Sequence, residues 1–299
     1  MNKPITYKLN AYPDKDYKYP IIISDSIQDI SNFLDNKIIS SSNIIIFVDD
    51  YISDLSPAKD IIKLIREKNK IKQVSIKTLK SGKHSKNLKT LEELCQWLLS
   101  KNVQRDSIFV AIGGGVIGDL VGFLASVYFR GVSLIHIPTN ILSMCDSSIG
   151  GKTALNTHLH VNTLGTYKHP VCNLIYTKFL DTLSIREFSS GIAEIIKIAF
   201  LKDGPLFSML ESYELDDFLG NESKTNIAEL LKYAIEYKLF FTSNDIYENS
   251  KRLFLNIGHT FGHAIESCQD LNKEEYYRHG EAVALGLICA LSLSDKLYQ

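Results

Sequence analysis

Three histidines stand close together near the C-terminal end of the chain, within Asn256-Ile257-Gly258-His259-Thr260-Phe261-Gly262-His263-Ala264-Ile265-Glu266 and the later His279-Gly280-Glu281. Two imidazoles four residues apart share one face of a helix, and a third at a glycine-marked helix start can join them on one ion. The whole chain has eight histidines, yet an HxxxH pair alone is as often two ordinary helix histidines as a metal site. A ligand oxygen is needed as well, and Glu194 is the candidate. In Ser190-Gly191-Ile192-Ala193-Glu194-Ile195-Ile196-Lys197 an acid and a base sit three apart on a helix among apolar residues, where an unpaired charge is costly. Either the two form a buried salt bridge, or Glu194 completes a two-histidine, one-glutamate catalytic metal site with a position open for substrate. Spacing does not choose which two of the three histidines would join it.

Other segments carry polar chemistry of a different kind. The apolar run Ser107 to Ile112 enters Gly113-Gly114-Gly115-Val116-Ile117-Gly118-Asp119. Such glycines admit a pyrophosphate close to the backbone, and the following helix offers free amides and its positive dipole end. Positions 113, 115 and 118 satisfy GxGxxG, but Leu120 to Cys145 contains no carboxylate, so the usual ribose-binding acid of a dinucleotide fingerprint is missing. Asp49 and Asp50, closing the earlier run Ile44 to Val48, can serve a ribose hydroxyl if that strand neighbours the glycine turn; otherwise they are turn or helix caps. Asp146-Ser147-Ser148-Ile149-Gly150-Gly151-Lys152-Thr153 approaches a Walker A loop but has Asp146 where glycine is required, and no apolar strand leads into it. It is expected to be a loop whose lysine, hydroxyls and acid suit a phosphorylated polyol. Lys238, Arg252 and Asn256 complete the polar set, the guanidinium being the best grip for a carboxylate.

The elements that must position these groups divide the chain in two. Up to about residue 180, β-branched runs (Ile44 to Val48, Val74 to Ile76, Ser107 to Ile112, Leu134 to Ile137) alternate with amphipathic stretches such as Leu88 to Leu99, the pattern of a largely parallel sheet flanked by helices. From 181 to 299 the apolar period is helical: Glu187 to Lys202, Ile227 to Phe241, Gly258 to Cys268 and Gly280 onward, with turns near Asp203-Gly204-Pro205 and Gly220-Asn221. The expected fold is therefore α/β, a Rossmann-like nucleotide-binding domain (1–180) followed by an all-α metal- and substrate-binding domain (181–299). A net charge of −1 gives no global field for nucleic acid or an anionic membrane, so the expected partner is small. Five cysteines without a CxxC pair fit a reducing compartment and read as small core residues. Without a secretory signal or an apolar run near the ~18 residues of a span, a cytoplasmic protein is expected.

Taken in order, the Gly113 to Asp119 turn, Tyr128-Phe129-Arg130-Gly131, Asp146 to Thr153, Gly191 to Lys197, Leu255 to Glu266 and His279-Gly280-Glu281 resemble the 3-dehydroquinate synthase family, from about Asp49 to the last residue. The resemblance implies an NAD- and metal-dependent (zinc or cobalt) enzyme of the shikimate pathway. It would turn 3-deoxy-D-arabino-heptulosonate 7-phosphate, a phosphorylated and carboxylated sugar, into 3-dehydroquinate and phosphate. It implies Glu194, His259 and His279 as metal ligands and His263 as the proton-handling histidine. It further implies Lys152, Asn162, Lys197, Lys238, Arg252 and Asn256 as substrate contacts, with Asp146 near cofactor and substrate. Arg130 would reach the phosphate at the neighbouring subunit's site, hence a homodimer. The cofactor set would be Asp50, Lys86, Gly113, Gly114, Gly115, Gly118, Asp119, Thr139, Asn140, Lys152 and Thr182.

The chain departs from the family pattern at Lys83, where a glutamate is usual, at Asn140 in place of threonine and at Val161 in place of lysine. Family members also continue past the position of Gln299, so the helix from Ala282 to Leu297 is expected to expose an apolar face unless a partner covers it. Three alternatives remain: a cyclase of sedoheptulose 7-phosphate, which has no carboxylate to grip; a metal-dependent polyol dehydrogenase; and a non-catalytic relative that binds nucleotide or partners.

Overall fold

The computed structural model describes residues 4–13, 17–38, 43–68, 73–158, 160–213, 223–243, 245–272 and 276–298. Its centre is a seven-stranded sheet of Thr6–Ala11 (β1), Tyr19–Ser24 (β2), Asn43–Asp49 (β3), Gln73–Leu79 (β4), Ile108–Gly113 (β5), Ser133–Pro138 (β6) and Cys172–Tyr176 (β9). The spatial order is β1-β2-β9-β6-β5-β3-β4, parallel except for the antiparallel β1–β2 pair at one edge. Helices Ile27–Ile38 (α1), Ser56–Lys68 (α2), Leu88–Ser100 (α3) and Gly115–Val127 (α4) make the crossovers. Central strands must be apolar on both faces when helices cover both. In β3, Ile44, Ile46 and Val48 join one core layer and Ile45 and Phe47 the other, as the period of two requires.

The four strand runs expected from the sequence are β3 to β6, and the amphipathic stretch after Leu88 is α3. The β1–β2 hairpin and strand β9 were not among the expectations. Neither was the two-stranded antiparallel ribbon Lys152–Leu155 (β7) with Leu164–Tyr167 (β8). That ribbon corrects the reading of Asp146 to Thr153 as one loop: Lys152 and Thr153 begin a strand. Two of the segment's three hydroxyls are also engaged, since Ser148 Oγ accepts from Asn173 and Thr153 Oγ1 donates to Thr166 O.

Among the described residues no strand follows β9. The second half is Ile185–Phe200 (α5), Pro205–Glu211 (α6), Ser223–Thr242 (α7), His259–Asn272 (α8) and His279–Tyr298 (α9). The expected turn at Gly220-Asn221 lies outside the described residues. Ser184 caps α5 by accepting from the Glu187 amide. Ile195 and Ile198 of α5 and Leu230, Leu231 and Ile235 of α7 belong to the same hydrophobic core as residues of β3, β5 and β6, and α7 packs against β1 and β2 at the edge of the sheet. The exposed residues of α9 include Leu285, Ile288, Leu291, Leu293 and Leu297. Not all cysteines are core residues, for Cys268 and Cys289 are exposed while Cys145 and Cys172 are buried. No described helix is long and apolar enough to cross a membrane.

Candidate active site

Parallel strands ending at one edge leave a crevice beyond their carboxyl ends, and the polar residues gather there. Strand β3 lies beside β5, so Asp49 and Asp50 neighbour the glycine turn. Asp50 accepts from the Ser81 hydroxyl and amide, which hold its carboxyl below the ordinary value, and Asp49 caps the turn at Tyr51. Gly114 caps α4 with no side-chain bond to the helix. A Cβ there would fall 2.8 Å from Asn140 Nδ2, so glycine lets the Asn140 side chain pack against the helix N-terminus, the end that favours an anion. Asn140, in place of the family threonine, caps the next turn by accepting from the Ser143 amide, and the Thr139 amide donates to Gly113 O. Lys86, buried, reaches Asp119 Oδ2 and Asn162 Oδ1, each at 2.5 Å. Burial pushes the Asp119 carboxyl up even against that ammonium.

The metal candidates meet on α5, α8 and α9. Glu194 Oε1 lies 3.5 Å from His279 Nε2 and 3.9 Å from His259 Nε2, and one ligand atom from each of the three residues falls within 4.8 Å of the others. Glu194 is fully buried and neither of its oxygens accepts a well-formed hydrogen bond. The Lys197 ammonium at 2.5 Å from Oε2 makes an ion pair. A buried carboxylate with unused lone pairs beside two imidazoles fits a divalent cation. The buried ion pair of the first reading is present, and Glu194 Oε1 still faces the two imidazoles that the second reading requires. Gly280 places the third imidazole: a Cβ there would lie 1.8 Å from Ser190 O, so only glycine lets α9 start against α5.

Burial, with the Lys197 charge, lowers the His259 pKa, and burial lowers that of His263. For His279 burial acts the same way, but a hydrogen bond to Glu266 and the Glu194 charge outweigh it and raise the pKa. His263 stands 5.3 Å from His259 and 6.1 Å from His279, ring centre to ring centre. Its metal-type grouping is with Glu266 and His279 rather than Glu194.

Around this cluster lie the charged and polar groups expected to meet an anionic substrate. Lys238 donates to Asp146 Oδ1 at 2.6 Å and also to Asp146 O. Burial alone would raise Asp146, but Lys238 and Lys197 hold it well below the carboxylate range. Arg252, buried, donates through Nη1 to Ile246 O, and its guanidinium stands 5.7 Å above the Tyr167 ring. It sits with Asn256 on a 3-10 turn, Lys251–Asn256. Glu248, which sequence reasoning missed, pairs with Lys152 and accepts from Asn256 Nδ2 at 2.8 Å. Nothing in its spacing singles it out; only its left-handed backbone (φ 59°) marks it. Thr182 donates to Phe179 O in the 3-10 turn that follows β9. Arg130 stays apart: exposed, it follows the C-terminal end of α4, about 20 Å of helix from the glycine turn.

A parallel sheet with a glycine turn at its crevice, set against helices that offer two imidazoles and a carboxylate, is the plan of the sugar phosphate cyclases. A 2-deoxy-scyllo-inosose synthase solved with carbaglucose-6-phosphate, NAD+ and Co2+ superposes with a TM-score of 0.84 at 25% identity, over 97% of this chain and 76% of that one. The 2-epi-5-epi-valiolone synthase of Streptomyces hygroscopicus subsp. jinggangensis, solved with NAD+ and Zn2+, superposes at 0.79 with 26% identity, over 92% and 74%.

Within that class the chain belongs to the 3-dehydroquinate synthase family. The sequence models of that family's N-terminal and C-terminal parts match residues 76–190 and 191–299. The 3-dehydroquinate synthase of Natranaerobius thermophilus is 39% identical over 283 residues, 94% of this chain and 74% of that protein.

Proposed function

We propose that the chain converts 3-deoxy-D-arabino-heptulosonate 7-phosphate to 3-dehydroquinate and phosphate, a lyase step of the shikimate pathway toward the aromatic amino acids. In this reading it acts as a cytoplasmic homodimer, with NAD on residues 1–180 and zinc or cobalt on residues 181–299. The observation that carries the reading is the buried Glu194 carboxylate, without a well-formed hydrogen bond and facing His259 and His279. When bound, NAD supplies reversible hydride transfer and the divalent ion polarises the substrate's hydroxyl and ketone oxygens.

Glu194, His259 and His279 hold the ion, and Asp50, Lys86, the glycines 113, 114, 115 and 118, Asp119, Thr139, Asn140, Lys152 and Thr182 hold NAD. The chain's own residues then bind and orient the sugar. Arg252, its guanidinium fixed by Ile246 O, grips the carboxylate, which favours the heptulosonate over a sugar without one. Lys152 offers its charge to a phosphate oxygen, and Arg130 of the partner subunit offers a second. Lys197, Lys238, Asn162 and Asn256 contact the hydroxyls, and Asp146, kept ionised by Lys238 and Lys197, accepts from one of them. His263, whose pKa burial lowers, is the imidazole beside the ligands that takes a hydroxyl proton.

Phosphate release with metal, NAD and the heptulosonate phosphate tests this directly. We expect release in wild type, none in His259→Ala, no NADH accumulation and no turnover of sedoheptulose 7-phosphate. Release unaffected by His259→Ala would remove the metal assignment, and net NADH would indicate a dehydrogenase instead.

A further inference from the structure

Glu266 has no part in the proposed chemistry, although it touches the site from two directions. Its Oε2 is 3.1 Å from His279 Nδ1, while the opposite nitrogen of the same ring, Nε2, faces Glu194 Oε1 at 3.5 Å. An ionised carboxylate only accepts, so the proton of that contact sits on Nδ1 and the Nε2 lone pair is left for an ion. Glu266 lies seven residues after His259 on α8, two helical turns along the same face. The helix that presents one imidazole therefore also braces the imidazole of α9. The side chain is 14% exposed, and its other oxygen, Oε1, stands 3.6 Å from the Lys83 ammonium.

We propose that Glu266 is the positioning residue of the metal centre: it fixes the ring orientation and tautomer of His279, and through Lys83 it ties that ligand to the turn beside the nucleotide site. The proposal rests on Glu194, His259 and His279 being the ligands. Lys83 stands at one of the positions where the chain departs from the family pattern, and it explains why Glu266 is a brace rather than a ligand. His263, Glu266 and His279 also fall within 4.8 Å of one another, but a second cation there would face the Lys83 charge and need the Nδ1 proton removed. A carboxylate behind a metal-bound histidine raises the basicity of the ligand and restricts the ring, and its loss typically weakens metal binding ~10- to 100-fold.

The test is titration of metal-free protein with Zn2+ against a chromophoric chelator, together with the visible absorption spectrum of the Co2+-loaded form. It uses wild type, Glu266→Ala, Glu266→Gln and His259→Ala, with thermal melting to show that each is folded. We expect one ion per chain in wild type and affinity lower by ~10- to 100-fold in Glu266→Ala, with an altered cobalt spectrum. In Glu266→Gln, whose amide oxygen still accepts from Nδ1, affinity should stay within about threefold of wild type. Unchanged affinity and spectrum in Glu266→Ala, while His259→Ala loses the ion, would overturn the positioning role and leave the metal reading intact. Two ions per chain in wild type and one in Glu266→Ala would overturn it by making Glu266 a ligand. Wild-type affinity in His259→Ala would overturn the metal reading itself, and the brace with it.

Discussion

Glu248 shows how much a single side chain can organise. Its carboxylate joins Lys152, on the ribbon strand β7, to Asn256, on the turn that leads into α8. Burial opposes its charge, but the hydrogen bonds from Lys152 and Asn256 outweigh it and hold its pKa below the ordinary value. Glu248→Gln retains an acceptor for Asn256 but loses the charge that meets Lys152. We expect kcat/KM to fall about tenfold, the value of one charge-assisted hydrogen bond of ~1.5 kcal/mol, with the melting temperature little changed. Steady-state phosphate release with a parallel melt checks both. No loss of kcat/KM would show that Lys152 needs no anchor.

At the scale of elements, the 3-10 turn carrying Arg252 is held by Asp245, whose carboxylate accepts from the amides of Arg252, Asn249 and Ser250 and from the Ser250 hydroxyl. These bonds, the Arg252 amide first, lower its carboxyl from 3.8 to about 2. A depressed carboxyl adds stability above its unfolded value, and that contribution disappears as pH falls from about 3.8 through about 2. Asp245→Asn should therefore lower the melting temperature at pH 7 while narrowing the gap to wild type near pH 2. The same guanidinium fixes what can stand at Gly150. Its φ is +90°, and a Cβ would lie 2.7 Å from Arg252 Nη2. Gly150→Ala is expected to cost ~1–3 kcal/mol in stability and, by displacing the guanidinium, to raise KM for the carboxylated substrate. Urea unfolding and kinetics measure the two effects, and unchanged KM would separate Gly150 from Arg252.

For the molecule as a whole, His136 makes stability depend on pH. It lies in β6 at the middle of the sheet, and burial holds its pKa down to about 4 from 6.5. The folded protein refuses a proton that the unfolded chain accepts below 6.5, so this contribution is intact above that pH and about 3 kcal/mol is lost by pH 4. Urea unfolding of wild type and His136→Val at pH 7.5 and 5 should show the smaller pH effect in the variant; equal slopes would exclude His136 as the source. Assembly has its own test. In the proposed homodimer, a mixed pair of Arg130→Ala and His259→Ala chains would have one site with its own His259 and with Arg130 from the partner subunit. Mixing two inactive variants should restore part of the activity, and no recovery would mean that Arg130 serves its own chain or none.

Some of this protein was legible in the residues alone. Strands β3 to β6 and helices α3, α5, α7, α8 and α9 announce themselves because a buried element must repeat its apolar residues at its own period, 2 or 3.6. The glycine turn, the histidine phrase and the acid and base three apart on an apolar helix stand out because only particular residue types meet those local demands. What stayed hidden depends on distance in space. The β1–β2 hairpin, β9 and the β7–β8 ribbon are short strands stabilised by neighbours far off in sequence. Glu248 acquires its role only when a turn brings it against Lys152, 96 residues away. Glu266 is simply a helix carboxylate until α9 lays His279 beside it. The sequence by itself determined which groups the protein has to work with. Tertiary packing decided which of them meet, because a charge or an imidazole takes its partner, its protonation and its ligand geometry from whatever lies within a few ångströms.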